Sequence, residues 1–311
     1  MCIRDSPYVH LRFRDSGVIW PSQKIRLGNI IMQFTFHRKR NAFFNHLILV
    51  TLSLTIVLPL AILFFNSIKP QAELGINPLG FPSQIRWMNY YDAFINGNYA
   101  RVFLNSSILV FGTLLVCIPL SGLAAFSLSI LNPRGKSTAI VGIYLLGGLS
   151  VPAQLYILPL FIMWKFIHLN NTYLGLIIIY SALNSPFAVF LIRSYMLQLP
   201  KELFEAAKIE GANNLQLFTK IALPLSWPVF LTASLVVGLA VWNEFLFAIT
   251  FIYDDSIKPM ASILFSFSSR FNRDYSLISA AAVMMALPMA ILFLLFQRHF
   301  IAGLTNGSSK G

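Results

Sequence analysis

Long apolar runs separated by short polar gaps dominate the chain. A helix that crosses a bilayer needs about 20 mostly apolar residues, and the runs at 44–66, 105–131, 138–163, 171–193, 227–252 and 276–297 meet that need. The pattern predicts an all-α polytopic membrane protein with six transmembrane helices and both ends on one side. The second run carries no charge from Val102 to Asn132, longer than one straight crossing requires, so tilt or an interfacial end is expected. Pro152 with Gln154, and Asn184-Ser185-Pro186, interrupt spans three and four. Broken helices are tolerated where the freed backbone groups find protein partners or line a wet cavity, which nominates Gln154 and Asn184 for a pathway, with a kink needed only for packing as an equal alternative. Gly122 with Ala124 and Ala125, and Gly147-Gly148, are read as points of close helix approach.

The polar gap at 194–226 has an internal order of its own. Pro200 suits a helix start, Lys201 to Glu210 makes about three turns, and Gly211 supplies the left-handed residue that ends them. Asn213 with Gln216 can cap a second short helix reciprocally, placing Leu215, Phe218 and Ala222 on one face, before Pro224 and Pro228 lead into span five. The expected product is a bent helical hairpin at the membrane surface. Ala206 and Ala207 beside Leu203 would give it a flat face for another protein, ringed by Glu202, Glu205, Lys208 and Glu210.

Composition agrees with the membrane class: 57% of the 311 residues are hydrophobic, 11% are charged, and the mean hydropathy is +0.70. The net charge of +12 would fit nucleic acid, an anionic surface or topology signals, and the positions of the charges decide. Sixteen of the 23 Lys and Arg fall in the two termini, the loop at 132–137, the end of span four (Arg193) and the gap at 194–226; seven fall in 67–104, 253–275 and the end of span three. By the positive-inside rule the first set is cytoplasmic, so no nucleic-acid role is inferred. Residues 1–43 are read as a basic cytoplasmic tail, disordered over the first 36, with a foreign origin for part of it left open; residues 301–311 form a cytoplasmic tail. His37-Arg38-Lys39-Arg40 precedes span one with no small-residue cleavage site behind it, so that span is expected to stay as an anchor. Cys2 and Cys117 offer no disulfide framework, and His10, His37, His46, His168 and His299 no metal cluster. Gly135-Lys136-Ser137 lacks the upstream glycine of a phosphate loop, since Ile130 stands there.

Glu205-Ala206-Ala207, Gly211-Ala212 and Ile221-Ala222-Leu223-Pro224 resemble the cytoplasmic EAA loop, here 199–226, of the membrane subunits of binding-protein-dependent ABC importers. Glu210 stands where that family more often has Asp. Arg86-Trp87-Met88-Asn89-Tyr90-Tyr91, Asn105-Ser106-Ser107, Trp242-Asn243-Glu244-Phe245, Leu287-Pro288 and Gln297-Arg298-His299-Phe300 resemble the carbohydrate branch, in particular the smaller six-span permease of maltose type. The resemblance covers residue 40 onward. It implies a bacterial inner-membrane complex with a second, larger permease, an ABC ATPase dimer that binds ATP and Mg, and an extracytoplasmic solute-binding protein that delivers a sugar. Glu205, Ala206, Ala207, Gly211, Leu215, Phe218, Leu223 and Pro224 would then couple to the ATPase, and Asp254, Asp255 and Lys258 would meet the binding protein.

Glu244 is the one carboxylate inside a span. Placing it at the bilayer centre would cost roughly 2.5–3.5 kcal/mol, so it is expected to face protein or water. With Trp242, Asn243, Gln154 and Asn184 it is a candidate for the path or its gate, weighed against a purely structural pairing; Trp242 and Phe245 could stack on a sugar or serve as interfacial anchors. No nucleophile, base and orienting acid converge, so a transport subunit is expected and not an enzyme. A permease for glycerol phosphate or a polyol remains a second reading. An ion-coupled secondary transporter predicts repeats and several buried ionisable groups, and a membrane scaffold would need no polar interior.

Overall fold

A computed structural model describes the backbone of residues 21–267 and 274–305, with side chains between 44 and 297 except at 263 and 266. The described residues are helical, with no strand. They form two compact units, 1–61 and 62–311.

The first unit is the helix α1, Pro21–Ser67, up to residue 61. The expected disorder over 1–36 is corrected for 21–36, which are helical; residues 1–20 lie outside the described residues. Extending a helix adds one hydrogen bond per residue with no new nucleus, so a strong apolar helix carries a non-periodic segment ahead of it.

In the second unit the last turns of α1 lead to two short helices, α2 (Gln71–Ile76) and α3 (Met88–Asn96), and then to α4 (Tyr99–Phe126), which continues as a π-helix over Ser127–Leu131. The 33 residues of Tyr99–Leu131 extend about 50 Å at 1.5 Å per residue, confirming that this run exceeds one straight crossing. Span three is bent by 94° between α5, Lys136–Ser150, and the segment Ala153–Phe166 that contains α6, Ile157–Phe166; the break falls at Val151-Pro152, where proline disfavours a helical conformation for its predecessor and Val151 is extended. Span four, α7, Tyr173–Met196, is unbroken, which corrects the expected interruption at Pro186. Pro186 has no N–H for the Ala182 carbonyl, and the Ser185 hydroxyl donates to that oxygen at 3.1 Å instead.

Two short helices, α8 (Lys201–Ile209) and α9 (Asn214–Gln216), a π-helix at Leu217–Ala222 and the single turn α10, Leu223–Leu225, form the hairpin. The chain then turns by 78° into α11, Trp227–Trp242. Span five breaks at Asn243–Phe245 and restarts as α12, Leu246–Phe251; α13, Ile263–Ser266, and α14, Tyr275–Thr305, complete the described helices. Four described helices are long and apolar enough to cross a membrane, and the count reaches six if each of two bent pairs is one span.

The core joins α4, α7 and α11. Leu109, Cys117 and Phe126 of α4 pack with Leu176, Tyr180 and Ile192 of α7 and with Val229, Phe230 and Val237 of α11. Gly122 belongs to this seam: a Cβ there would lie 2.6 Å from the Phe230 ring, so the helices meet through its missing side chain. Gly147 faces open space instead, and Gly148 would only touch Pro186, so close approach holds for the first glycine group and not for Gly147.

Candidate functional site

The hairpin follows its local signals closely. Pro200 stands before the first helical residue, where a missing N–H is harmless. Gly211 has a φ of +87°, a conformation that side chains with a Cβ rarely adopt. Asn213 Oδ1 accepts from Gln216 N at 2.9 Å and Gln216 Oε1 accepts from Asn213 N at 2.9 Å, which closes the expected capping box. The two helices are thereby set at a fixed bend.

Anchoring differs in part from the sequence expectation. Phe204, Leu217, Phe218 and Ala222 are buried in the same core as α4 and α11, with the Phe126 ring 6.4 Å from Phe204 and 5.5 Å from Phe218. Leu215 does not share that face: it is 65% exposed. The π-helical winding over 217–222 places Leu217 inward and breaks the regular 3.6-residue spacing. Phe218 is thus occupied within its own chain and Leu215 is free. Ala207 and Leu223 are half-buried, while Glu205, Ala206, Gly211 and Pro224 are exposed. The solvent side of the hairpin carries Leu203, Ile209 and Leu215, at 45, 88 and 65% exposure. Large apolar groups are left bare around an alanine pair, a patch of the kind that contacts another protein or the membrane surface.

A second set of residues gathers where span five breaks. Glu244 faces protein, as its cost in lipid requires: Oε2 accepts from the Tyr180 hydroxyl at 2.7 Å and from Ala248 N at 3.0 Å, and Oε1 from Phe247 N at 2.8 Å. It caps α12, satisfying N–H groups that the restarting helix leaves unpaired. The Tyr180 that reaches Glu244 is a residue the sequence did not single out; Asn184 Nδ2 donates to the main-chain carbonyl of Tyr180, one turn back on α7, at 2.8 Å. Trp242 is buried, donates from Nε1 to the Met285 carbonyl at 3.1 Å, and sets its ring edge-on to Phe103. Its ring and its N–H are both committed to packing, so it is not a stacking platform. Asn243 is exposed and, with Phe245, Ala261, Leu264, Phe265 and Met285, lines an open cavity of about 380 Å³. Gln154 is exposed on the Ala153–Tyr156 turn, and no described hydrogen bond links it to this group.

At the opposite end of the bundle a loop at 252–259 is held by the side-chain amides of Asn105, which is buried, and Asn171, which is half-buried. Asn105 Nδ2 donates to the carbonyls of Ser256 and Lys258 at 3.0 and 2.8 Å, and its Oδ1 accepts from the Tyr173 hydroxyl at 2.6 Å. Asn171 Oδ1 accepts from Tyr253 N and Asp254 N at 3.1 and 3.0 Å. Asp254 accepts from Ser256 N at 2.8 Å; that hydrogen bond holds its carboxyl below the ordinary value. Lys258 pairs with Asp255. Among the described residues no group of acidic, His or Cys side chains could hold a metal.

Apolar helices long enough to cross a membrane, joined by a surface hairpin, define a polytopic membrane protein. The chain belongs to the family described as binding-protein-dependent transport system inner membrane component, whose pattern matches residues 93–306. It is 34% identical over 258 residues, 83% of this chain and 85% of the relative, to the probable ABC transporter permease protein YurM of Bacillus subtilis. It is 28% identical over 274 residues, 88% and 90% of the two chains, to the diacetylchitobiose uptake system permease protein NgcG of Streptomyces coelicolor. The arabinooligosaccharides transport system permease protein AraQ of Bacillus subtilis matches at 31% over 269 residues, 85% and 94%. The fold is that of a chain in the crystal structure of a bacterial ABC transporter that imports alginate, with a TM-score of 0.70, 19% identity and coverage of 91% of this chain and all of that one.

Proposed function

We propose that this chain is the smaller permease of an ATP-driven importer that carries a sugar or oligosaccharide across the inner membrane of a bacterium. The observation that carries the reading is the two-sided hairpin: one side locked into the α4–α11 core through Phe204, Leu217 and Phe218, the other presenting Leu203, Ala206, Ile209 and Leu215. Such an element takes force from a soluble ATPase and passes it to the spans without deforming. The sugar class rests on relatives named for diacetylchitobiose and arabinooligosaccharides.

In this reading the hairpin and both termini are cytoplasmic, which agrees with the excess of Lys and Arg there. Glu205, Ala206, Ala207, Leu215 and Pro224 contact the ATPase; Gly211 and Leu223 set the hairpin's shape. ATP and Mg bind in the partner ATPase. The amide-clasped loop with Asp254, Asp255 and Lys258 meets the solute-binding protein, and the cavity at Asn243 and Phe245 opens on the path shared with a second, larger permease. Mild-detergent purification from the native membrane, followed by mass spectrometry, tests the proposal. An ATPase, a second permease and a sugar-binding protein should accompany the chain; a chain that emerges alone and moves solute in an ion gradient refutes it.

A further inference from the structure

The helix α3 is amphipathic with its apolar side outward. At about 100° per residue, Trp87, Met88, Tyr91, Phe94 and Ile95 fall within a sector of about 120°, and all five are between 41 and 62% exposed. The inward side carries Asn89, Ala93 and Gly97, all buried. Asn89 is used there as a tie: its Nδ2 donates to the carbonyls of Ser67 and Lys69 at 3.0 and 2.8 Å. Tyr90 beside it hydrogen-bonds Ser67 Oγ at 2.7 Å. A soluble helix would bury the aromatic side and expose the amide; here the order is reversed.

The position of α3 says what covers that stripe. It follows the end of span one, where Phe64 lies 6.4 Å from Trp87 and Phe65 lies 5.0 Å from Phe81 by ring centroid, and it ends three residues before Tyr99, the first residue of span two. It packs against α14, and the Tyr99 hydroxyl donates to the Met284 carbonyl at 2.8 Å. It therefore sits at the bundle end opposite the hairpin, at the depth where apolar spans begin. Trp and Tyr are favoured at that depth, with rings in the acyl boundary and polar edges in the headgroups. The one ion pair on the helix, Arg86 with Asp92 at 3.2 Å, lies on its flank, outside the aromatic sector.

We infer that α3 is an interfacial helix whose Trp87–Tyr91–Ile95 stripe lies in the lipid headgroup–acyl boundary of the leaflet opposite the hairpin. The inference rests on the membrane-spanning reading. A stripe floated in lipid and tied by Asn89 to the end of span one would hold that end and the start of span two at a common depth against α14 while the hairpin end moves.

The test is nitroxide accessibility in the complete transporter reconstituted in phosphatidylcholine–phosphatidylglycerol vesicles. Tyr91→Cys and Ile95→Cys carry the label on the stripe, Asp92→Cys on the flank and Leu115→Cys in mid-span, with Cys2→Ser and with Cys117 left in its buried site. Oxygen-to-nickel accessibility should be several-fold higher at 91 and 95 than at 92. Free access of the nickel complex at 91 and 95 would place the stripe in water and overturn the inference. Low access to both reagents there would also overturn it, because a protein, most simply the second permease, would be the cover. Nickel access at 115 as well would fail the spanning reading itself, so the two failures are distinguishable.

Discussion

The two ends of the bundle are built by opposite means. At the hairpin end, attachment is chiefly apolar: Phe204, Leu217, Phe218 and Ala222 enter the core beside Phe126, and the hydrogen bonds of the hairpin are mostly local, as in the Asn213–Gln216 box, with the Tyr195 hydroxyl to the Leu225 carbonyl at 3.4 Å as a longer-range exception. At the other end, attachment is polar and distant in sequence: Asn105 reaches a loop more than 150 residues away, Asn171 one more than 80 away, and Asn89 the chain 20 residues earlier. Apolar contact is non-directional and tolerates small rotations. Paired amide hydrogen bonds fix a loop in one geometry, and breaking one leaves buried groups unpaired. The hairpin end is thus suited to transmitting a movement, and the amide-clasped end to presenting a fixed shape.

The largest expected effect comes from the hairpin's one left-handed residue. Proline fixes φ near −65° and cannot occupy the +87° of Gly211; even a tolerated misfit there would cost roughly 1–3 kcal/mol. Gly211→Pro should insert and retain ATP hydrolysis yet lose uptake, as should a bulky residue at Ala207. Coupled uptake at the wild-type rate in both would remove the hairpin from the coupling role. Asn105→Ala should act differently. It leaves the carbonyls of exposed Ser256 and half-buried Lys258 and the hydroxyl of half-buried Tyr173 without their amide partner, a loss that water reduces to about 1 kcal/mol in all, so thermal stability and stimulation by the binding protein should fall while transport per ATP hydrolysed stays near normal. If Asn105→Ala instead uncouples as Gly211→Pro does, the division of labour between the ends is wrong.

What could be read from sequence follows the same division. Pro200, Gly211 and the Asn213–Gln216 spacing are local signals, each with a backbone reason, and the hairpin appeared where they placed it. Apolar run length gave the helices, although Pro186 was misread as a break because a neighbouring serine hydroxyl could take up the lost partner. The π-helical winding that turned Leu217 inward and Leu215 outward has no simple sequence period. Nor could the sequence show that Trp242 donates to Met285 or that Tyr180 meets Glu244, since both pairings depend on which helices pack together. The amide clasps were invisible for that reason, even though Asn105 stood within a segment that carried the family resemblance.

Glu244 sharpens the comparison because it is a polar tie placed between the two ends. Glu244→Gln keeps an acceptor oxygen but replaces charge-assisted hydrogen bonds by neutral ones about half as strong, and Tyr180→Phe removes the hydroxyl that one of its oxygens accepts from. Each should lower the unfolding midpoint by an amount equivalent to about 1 kcal/mol. The double variant should cost less than the sum of the two, since both remove the same contact. Strict additivity in a thermal-shift cycle would show that the Tyr180–Glu244 contact contributes nothing and would reopen a direct substrate role for Glu244.

The smallest effect lies at the amide-clasped end, in its response to acid. Asp254 and Glu73 are both held below the ordinary carboxylate value, chiefly by the backbone N–H of Ser256 and of Ser83 respectively. A carboxyl whose folded pKa is depressed stabilises the fold at pH above its unfolded value, about 4, and loses that contribution as the pH falls through the lower folded value. Acid should therefore loosen the 253–258 and 73–83 loops below about pH 4. The hairpin, whose capping box contains only amides, should keep its hydrogen-exchange protection over the same interval. Asp254 is open to solvent and Glu73 is half-buried, so the change should be slight and confined to exchange at Ser256 and Ser83 and their neighbours. Equal loss of protection in the hairpin would mean that acid acts on the whole bundle, and that the two ends are not separately held.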